Sequence, residues 1–229
     1  MYTRPLNSTK RITTFLLLLL APIFLTPNSA FPQQKNYPGS ITYSIQSLKD
    51  HEELGKFIYF FEEKGDLLHV TINLSSEVQN RKEAELWFST QNGLPIRSLK
   101  WVYTPQGILE LESNYYGDYL EIHLSAPQGQ KRSRISLKKP VFDFEQLFFV
   151  VTKWQNRSTA SLPVFVPISG MVWKARLKKI QDSSSKKLFL VQIAGEKLYL
   201  TYEHEELYPS KVKAPQRGYQ LVLKRVLSE

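Results

Sequence analysis

From residue 40 onward the chain alternates between apolar and polar positions. In GSITYSIQ, Ile41, Tyr43 and Ile45 fall on one side, and Thr42, Ser44 and Gln46 on the other. Successive side chains of a strand point to opposite faces, so this pattern predicts a strand with one buried and one wet face. KFIYFFE and DLLHVTIN follow, and the short EKG between them marks a hairpin. ELWFSTQNGLPIRSLKWVY contains Asn92-Gly93, two residues that tolerate the positive φ of a type I′ turn. Pro95 has no N–H to donate, so its strand should start late or lie at an edge. TPQG, YYGD and PQGQ then punctuate ILELES, YLEIHLS and KRSRISLKK. Further on come LPVFVPIS, MVWKARLKKI, KLFLVQIA, EKLYLTYE and YQLVLKRV, with QDSSSKK as a loop and Ala194-Gly195-Glu196 as a tight hairpin. The regular, short spacing predicts a meander of antiparallel strands.

One stretch breaks the period of two. In FDFEQLFFVVTKW (142–154), Phe144, Leu147, Phe148, Val151 and Trp154 fall on one helical face. Asp143 stands where an N-cap belongs, with Gln146 three residues later as in a capping box. Phe149 and Val150 widen the apolar stripe, and a helix apolar over so much of its surface is wrapped by its partner. The expected fold class is mainly β: a curved antiparallel sheet or partly open barrel with one helix packed on the concave face. A buried strand followed by a turn is the alternative for LFFVV.

The amino terminus changes the picture of where this fold works. Arg4, Lys10 and Arg11 precede the apolar run FLLLLLAPIFL, and small residues follow it. Residues 1–30 read as a secretory signal peptide, with cleavage expected after Ala30. The apolar run is short for a membrane span, which needs roughly 20 residues. An uncleaved anchor is the alternative. Residues 31–39 read as a flexible leading segment and 40–229 as one β-rich domain, exported to the periplasm or the extracellular space. Three basic residues leave with the leader, taking the formal charge of +9 to +6. The sequence has no cysteine, which excludes disulfides, thiolate metal sites and cysteine nucleophiles. No other apolar run is long enough to span a bilayer, so the mature chain is expected to be soluble.

Little in the sequence argues for catalysis. No Gly-x-Ser-x-Gly elbow, phosphate loop or helical zinc motif is present, and no cofactor is expected. His51, His69, His123 and His204 are expected to be packed or surface residues. Glu203, His204, Glu205 and Glu206 form the one dense group of potential cation ligands, better read as a solvated turn. Asp118, Glu121 and Asp143 are the carboxylates that a fold could pair. The basic residues are patterned: Arg132, Arg134 and Lys138 are expected on one side of their strand, and Lys174, Arg176 and Lys178 on one side of another. Two such strands would make an extended cationic face able to attract anionic envelope lipid or polymer. The alternative is a solvated face that resists edge aggregation. Nucleic acid is a poor candidate for an exported chain without a binding motif.

Three segments, NGLPIRSLKWVYTPQG, KKPVFDFEQLFFVVTKW and EKLYLTYEHEELYPSKVKAPQRGYQLVLKRV, resemble a bacterial exported family known as domain of unknown function 3108. The resemblance spans roughly residues 40–226. It implies an exported β domain with a helix against the sheet and implies no known activity. Two functions follow as expectations. One is a non-enzymatic binding or carrier domain that holds an apolar or amphiphilic ligand at Phe144, Phe148, Val151 and Trp154. The other is a structural or interaction protein that contacts anionic envelope material through its basic sheet face.

Overall fold

The computed structural model describes residues 37–76, 82–154, 156–203 and 206–228. The expected signal peptide and cleavage site, most of the leading segment, and His204 and Glu205 lie outside the described residues.

Among the described residues fifteen strands form one sheet. A first meander comprises β1 (Ser40–Ser47), β2 (Glu53–Lys64), β3 (Leu67–Ser76), β4 (Lys82–Ser89), β5 (Pro95–Thr104), β6 (Gly107–Tyr116), β7 (Tyr119–Ala126) and β8 (Gly129–Ser136). After the two-residue β9 (Phe142–Asp143), a second meander comprises β10 (Thr159–Val166), β11 (Met171–Asp182), β12 (Lys186–Ile193), β13 (Glu196–Glu203), β14 (Lys211–Ala214) and β15 (Tyr219–Leu227). The two join because β15 pairs antiparallel with β1, so the order runs from β8 through β1 and β15 to β9. Every pairing is antiparallel except that of β9 with β10. The mainly β, open and curved sheet is the fold that the alternation predicts.

The alternation also sets the inner face. Ile41, Tyr43 and Ile45, then Ala84, Leu86 and Phe88, then Leu177, Phe189, Val191 and Leu200 all enter one buried cluster. Against it lies the helical segment, which is less regular than one helix. It has a 3-10 turn (Phe144–Gln146), a single α-turn α1 (Leu147–Val150) and a second 3-10 turn (Val151–Trp154). The capping box is present: Glu145 N–H donates to the Asp143 side chain at 3.1 Å, and Asp143 N–H donates to Gln146 Oε1 at 2.9 Å. Leu147, Val150 and Val151 are at most 1% exposed. Phe142 and Asp143 are strand residues paired with Val164 and Phe165, so Asp143 is extended as an N-cap should be, and the helical turns start at Phe144.

The sheet spirals past itself instead of closing. On β10, Leu162 and Val164 face the inner cluster, so Phe165 must face outward, yet it is fully buried. It packs with Leu120 and Ile122 of β7 in a second cluster, joined by Ile135, Leu137 and Val172. Leu120 and Ile135 share the inner face of the first meander, where they stand opposite one another. The β7–β8 end therefore overlaps the outside of β10 and β11, which gives an open, barrel-like spiral.

Two local expectations are corrected. Asn92-Gly93 does not form a two-residue type I′ turn, because Asn92 keeps a negative φ and only Gly93 (φ 65) is left-handed. The connection runs from Thr90 to Leu94, and Gly93 N–H donates to the Ser89 carbonyl at 2.7 Å. Its wider geometry offers the Gly93 carbonyl to Gln146 (3.1 Å) and the Asn92 carbonyl to Lys153 (3.2 Å), tying the loop to the helical segment. Both left-handed residues of a tight hairpin appear at Ala194 (φ 49) and Gly195 (φ 84), where a hairpin was expected. Lys138 lies in the bend after β8, not on the strand with Arg132 and Arg134, because β8 ends at Ser136 as the chain turns toward Pro140.

Candidate functional site

Beneath the helical segment the inner face carries charge. Lys100 of β5 stands opposite Ala84 and Leu111 and is 2% exposed. Its Nζ donates to Asp143 Oδ1 at 2.7 Å and also to Glu145. Lys82 donates to the other oxygen of Glu145, and Tyr115 donates to Asp143 Oδ2 at 2.6 Å. The cap of the helical segment is thus also the anion of a buried ion cluster. Burial pushes the Asp143 carboxyl up to about 6, against the pull of Lys100. Burial also acts to raise Glu145, but Lys100 and Lys82 outweigh it and hold that carboxyl well below the usual range. Burial opposes the charge on Lys100, yet Asp143 and Glu145 raise its pKa. Two lysines match two carboxylates, and burial keeps most of the group from solvent. The cluster locks the helical segment to β4, β5 and β6.

Sequence reasoning found Asp143 as a cap and missed its partners. Lys100 sits between Leu99 and Trp101, so β5 reads as if those apolar residues faced inward, whereas Ser98 and Lys100 do. The carboxylate that meets Asp143 is Glu145, not Asp118 or Glu121. Glu121 lies on β7 opposite Arg134, and Asp118 sits in the β6–β7 turn.

The expected ligand-binding residues occupy core positions. Val151 is fully buried, while Phe144, Phe148 and Trp154 are half-buried against the same cluster. Phe148 meets Tyr59 edge-on at 6.4 Å, and Trp154 meets Phe142 edge-on at 6.0 Å. The Phe148 carbonyl accepts the Tyr202 hydroxyl at 2.6 Å. A cleft bordered by Tyr37, Phe61, Leu68, Phe88 and Phe149 encloses about 20 Å³. That is room for about one water molecule.

The cations of the outer surface are arranged differently. Arg132 and Arg134 project from the outer face of β8, since Ile135 between Arg134 and Ser136 packs inward. Lys174, Arg176 and Lys178 project from the outer face of β11, on the same side as Phe165 and Val172. All five are exposed, as is Lys138. None of the six has a carboxylate within 4.0 Å among the described residues. Some other surface cations are paired, such as Arg97 with Glu112 (2.9 Å) and Arg217 with Glu196 (3.0 Å), while others, such as Lys56 and Arg225, share the lack of a carboxylate within 4.0 Å among the described residues. Arg134 instead lies over the Tyr119 ring at 3.4 Å. The two basic rows are not neighbours in strand order. They approach each other only through the overlap at Ile135, Leu137 and Val172.

The described histidines assemble no cation site. His69 stands between Glu62 (3.5 Å) and Glu85 (3.4 Å) and stacks on Trp87, and His123 lies between Glu112 (3.8 Å) and Glu121 (3.9 Å). Nδ1 of His51 lies 3.3 Å from Gln220 Nε2. No group of three or more histidines and carboxylates could hold a metal ion among the described residues.

Comparison with known proteins fixes the fold and not the activity. No protein-family model matches the chain, and no curated protein matches it. A solved structure does: a β-barrel-like protein of domain of unknown function 1849 from Brucella abortus. The two are 8% identical with a TM-score of 0.53, and the match covers 84% of this chain and 98% of that one. The likeness supports a β-barrel-like domain of unknown function. It does not carry the resemblance to domain of unknown function 3108. Among the described residues no helix is long and apolar enough to cross a membrane.

Proposed function

We propose that this chain is an exported, non-enzymatic contact domain that binds anionic envelope material through the basic outer rows of β8 and β11. The observation that carries the reading is that Arg132 and Arg134 on β8, with Lys138 just beyond it, and Lys174, Arg176 and Lys178 on β11 stand exposed in two groups, none with a carboxylate within 4.0 Å among the described residues. Unpaired cations on a rigid sheet concentrate anions without first breaking internal ion pairs. The carrier reading is less well supported, because Leu147, Val150 and Val151 fill the concave side and the neighbouring cleft has room for about one water. An apolar ligand would have to displace the helical segment against its ion cluster.

The test is sedimentation with phosphatidylglycerol vesicles. The wild type is expected to sediment at low salt and to be released as salt rises, since exposed charges are screened over about 8–10 Å near physiological ionic strength. Replacing Arg132, Arg134, Arg176 and Lys178 by glutamine should abolish most of the sedimentation. Equal sedimentation of wild type and variant would show that these rows are merely solvated.

A further inference from the structure

The two edges of the sheet are finished in opposite ways. The β9 edge has two residues, and the chain leaves it directly into the capped helical segment. The β8 edge runs the full length of Gly129–Ser136 and has no strand beyond it among the described residues. Leu137 N–H donates to the Asp118 carbonyl at 2.7 Å, which sets the phase of the β7–β8 ladder. Bonding alternates along an antiparallel pair, so Lys131, Ser133 and Ile135 bond to β7. The N–H and C=O groups of Gln130, Arg132, Arg134 and Ser136 then point away from the sheet.

Those outward groups are bordered by charge of one sign. Residues 129–139 contain Lys131, Arg132, Arg134, Lys138 and Lys139 and no acid. Such an edge repels a second copy of itself, the ordinary defence of an exposed strand. The same charge favours an acidic strand, whose backbone could complete the ladder while its carboxylates meet the arginines.

We propose that the β8 edge is a docking site for an acidic, extended segment of a partner protein, added as a sixteenth strand. Backbone hydrogen bonds from Arg132 and Arg134 supply the register. Their guanidinium groups, on the outer face, select carboxylates at alternate positions of the incoming strand, as in other strand-addition complexes. Lys131 does the same on the opposite face. The proposal rests on the same unpaired cations as the proposed function, but it requires the edge backbone as well.

The probe is a short labelled peptide alternating glutamate and valine. Its control has the same charge, with proline in place of valine, and cannot form a strand. Anisotropy titrations on the full chain should show the alternating peptide binding about tenfold or more tightly than the control. Hydrogen exchange on the wild-type protein should show the Arg132 and Arg134 amides becoming protected when the alternating peptide binds. The double variant Gln130→Pro, Ser136→Pro removes two outward N–H groups, no charge and no bond to β7. It should weaken the alternating peptide about tenfold and leave phosphatidylglycerol sedimentation unchanged. Equal binding of the two peptides, or unprotected Arg132 and Arg134 amides at saturation, would overturn strand addition and leave charge attraction alone. Peptide binding without vesicle sedimentation would sink the envelope-surface reading and keep this one.

Discussion

The interior and the outer edge of this sheet handle charge in opposite ways. Inside, Lys82, Lys100, Asp143 and Glu145 are matched cation to anion, and Tyr115 completes the shell around Asp143. Outside, on β8 and β11, cations stand in rows with no carboxylate within 4.0 Å among the described residues, even though Glu121 lies across from Arg134. Burial explains the first pattern. A charge removed from water is tolerated only with a partner and hydrogen bonds. Exposure permits the second pattern but does not require it, since elsewhere on the same surface Arg97 has Glu112. The difference separates residues that hold the fold from residues free to meet something else.

The sharpest way to break the comparison is to remove the interior anion that does most. Asp143→Ala takes away the cap and the 2.7 Å partner of Lys100 and leaves Tyr115 without its acceptor. Orphaning one member of a buried pair costs about 3–5 kcal/mol. Urea melts should register a loss of that size, and a variant within 1 kcal/mol of wild type, about the error of a careful extrapolation, would mean that the cluster is looser than its geometry.

Apolar contacts of the same segment come next. Leu147 is 1% exposed, so Leu147→Ala should cost about 2–5 kcal/mol by transfer and cavity effects. Phe148 is half-buried and should cost less, within the ordinary range of about 0.5–3 kcal/mol. Thermal melts of the two variants rank them directly. A Phe148→Ala loss larger than that of Leu147→Ala would place the true core on the other side of the segment.

Legibility followed the same division. Strand period, hairpin glycines and the Asp143–Gln146 cap are local signals, and the sequence carries them. The five-residue Thr90–Leu94 loop was hidden because Asn92-Gly93 satisfies a tighter turn equally well; the docking of Gln146 and Lys153 on its carbonyls selects the wider one. Lys100 was hidden by its neighbours Leu99 and Trp101, which imitate the inward face of β5. The spiral overlap is invisible in any window of residues, because it depends on Phe165 meeting Leu120 from a distant strand. The basic rows were legible as rows. That they lie at opposite ends of the strand order was not.

A pH titration sharpens the interior half of the comparison. Burial raises Asp143 from its ordinary 3.8 to about 6 in the folded protein. Between those values the folded state keeps a proton that the unfolded chain has released, so stability falls as pH rises through the window. Asp143→Asn has no proton to keep. The advantage of wild type over this variant should therefore be fully present below about pH 4 and shrink between pH 4 and pH 6, by on the order of 2 kcal/mol. Glu145 has the opposite sign, with stability lost as pH falls below its ordinary value, and it is present in both proteins. Denaturant melts at several pH values follow the difference. An advantage that grows from pH 4 to pH 6 would mean that Lys100, not burial, dominates the carboxyl.

The smallest stability effect is expected at the outer rows, and its smallness is the point. Arg132, Arg134, Arg176 and Lys178 are exposed, and among the described residues no carboxylate lies within 4.0 Å of any of them. Converting all four to glutamine breaks no ion pair and relieves some like-charge repulsion along each strand. The folded state should lose no more than about 0.5 kcal/mol per site, the usual bound for surface changes away from special features. Arg134 is the exception to watch, since its guanidinium covers the Tyr119 ring at 3.4 Å and an exposed contact of this kind contributes about 0.5–1 kcal/mol. Melting the quadruple variant beside one that retains Arg134 isolates that contact. If both melt with the wild type while vesicle sedimentation collapses only in the quadruple variant, Arg134 is the anchor of the anionic contact. If both lose sedimentation, the β11 row matters as much as β8. A quadruple variant destabilised by several kcal/mol would erase the distinction between the two regions, because the outer cations would then be holding the fold as well.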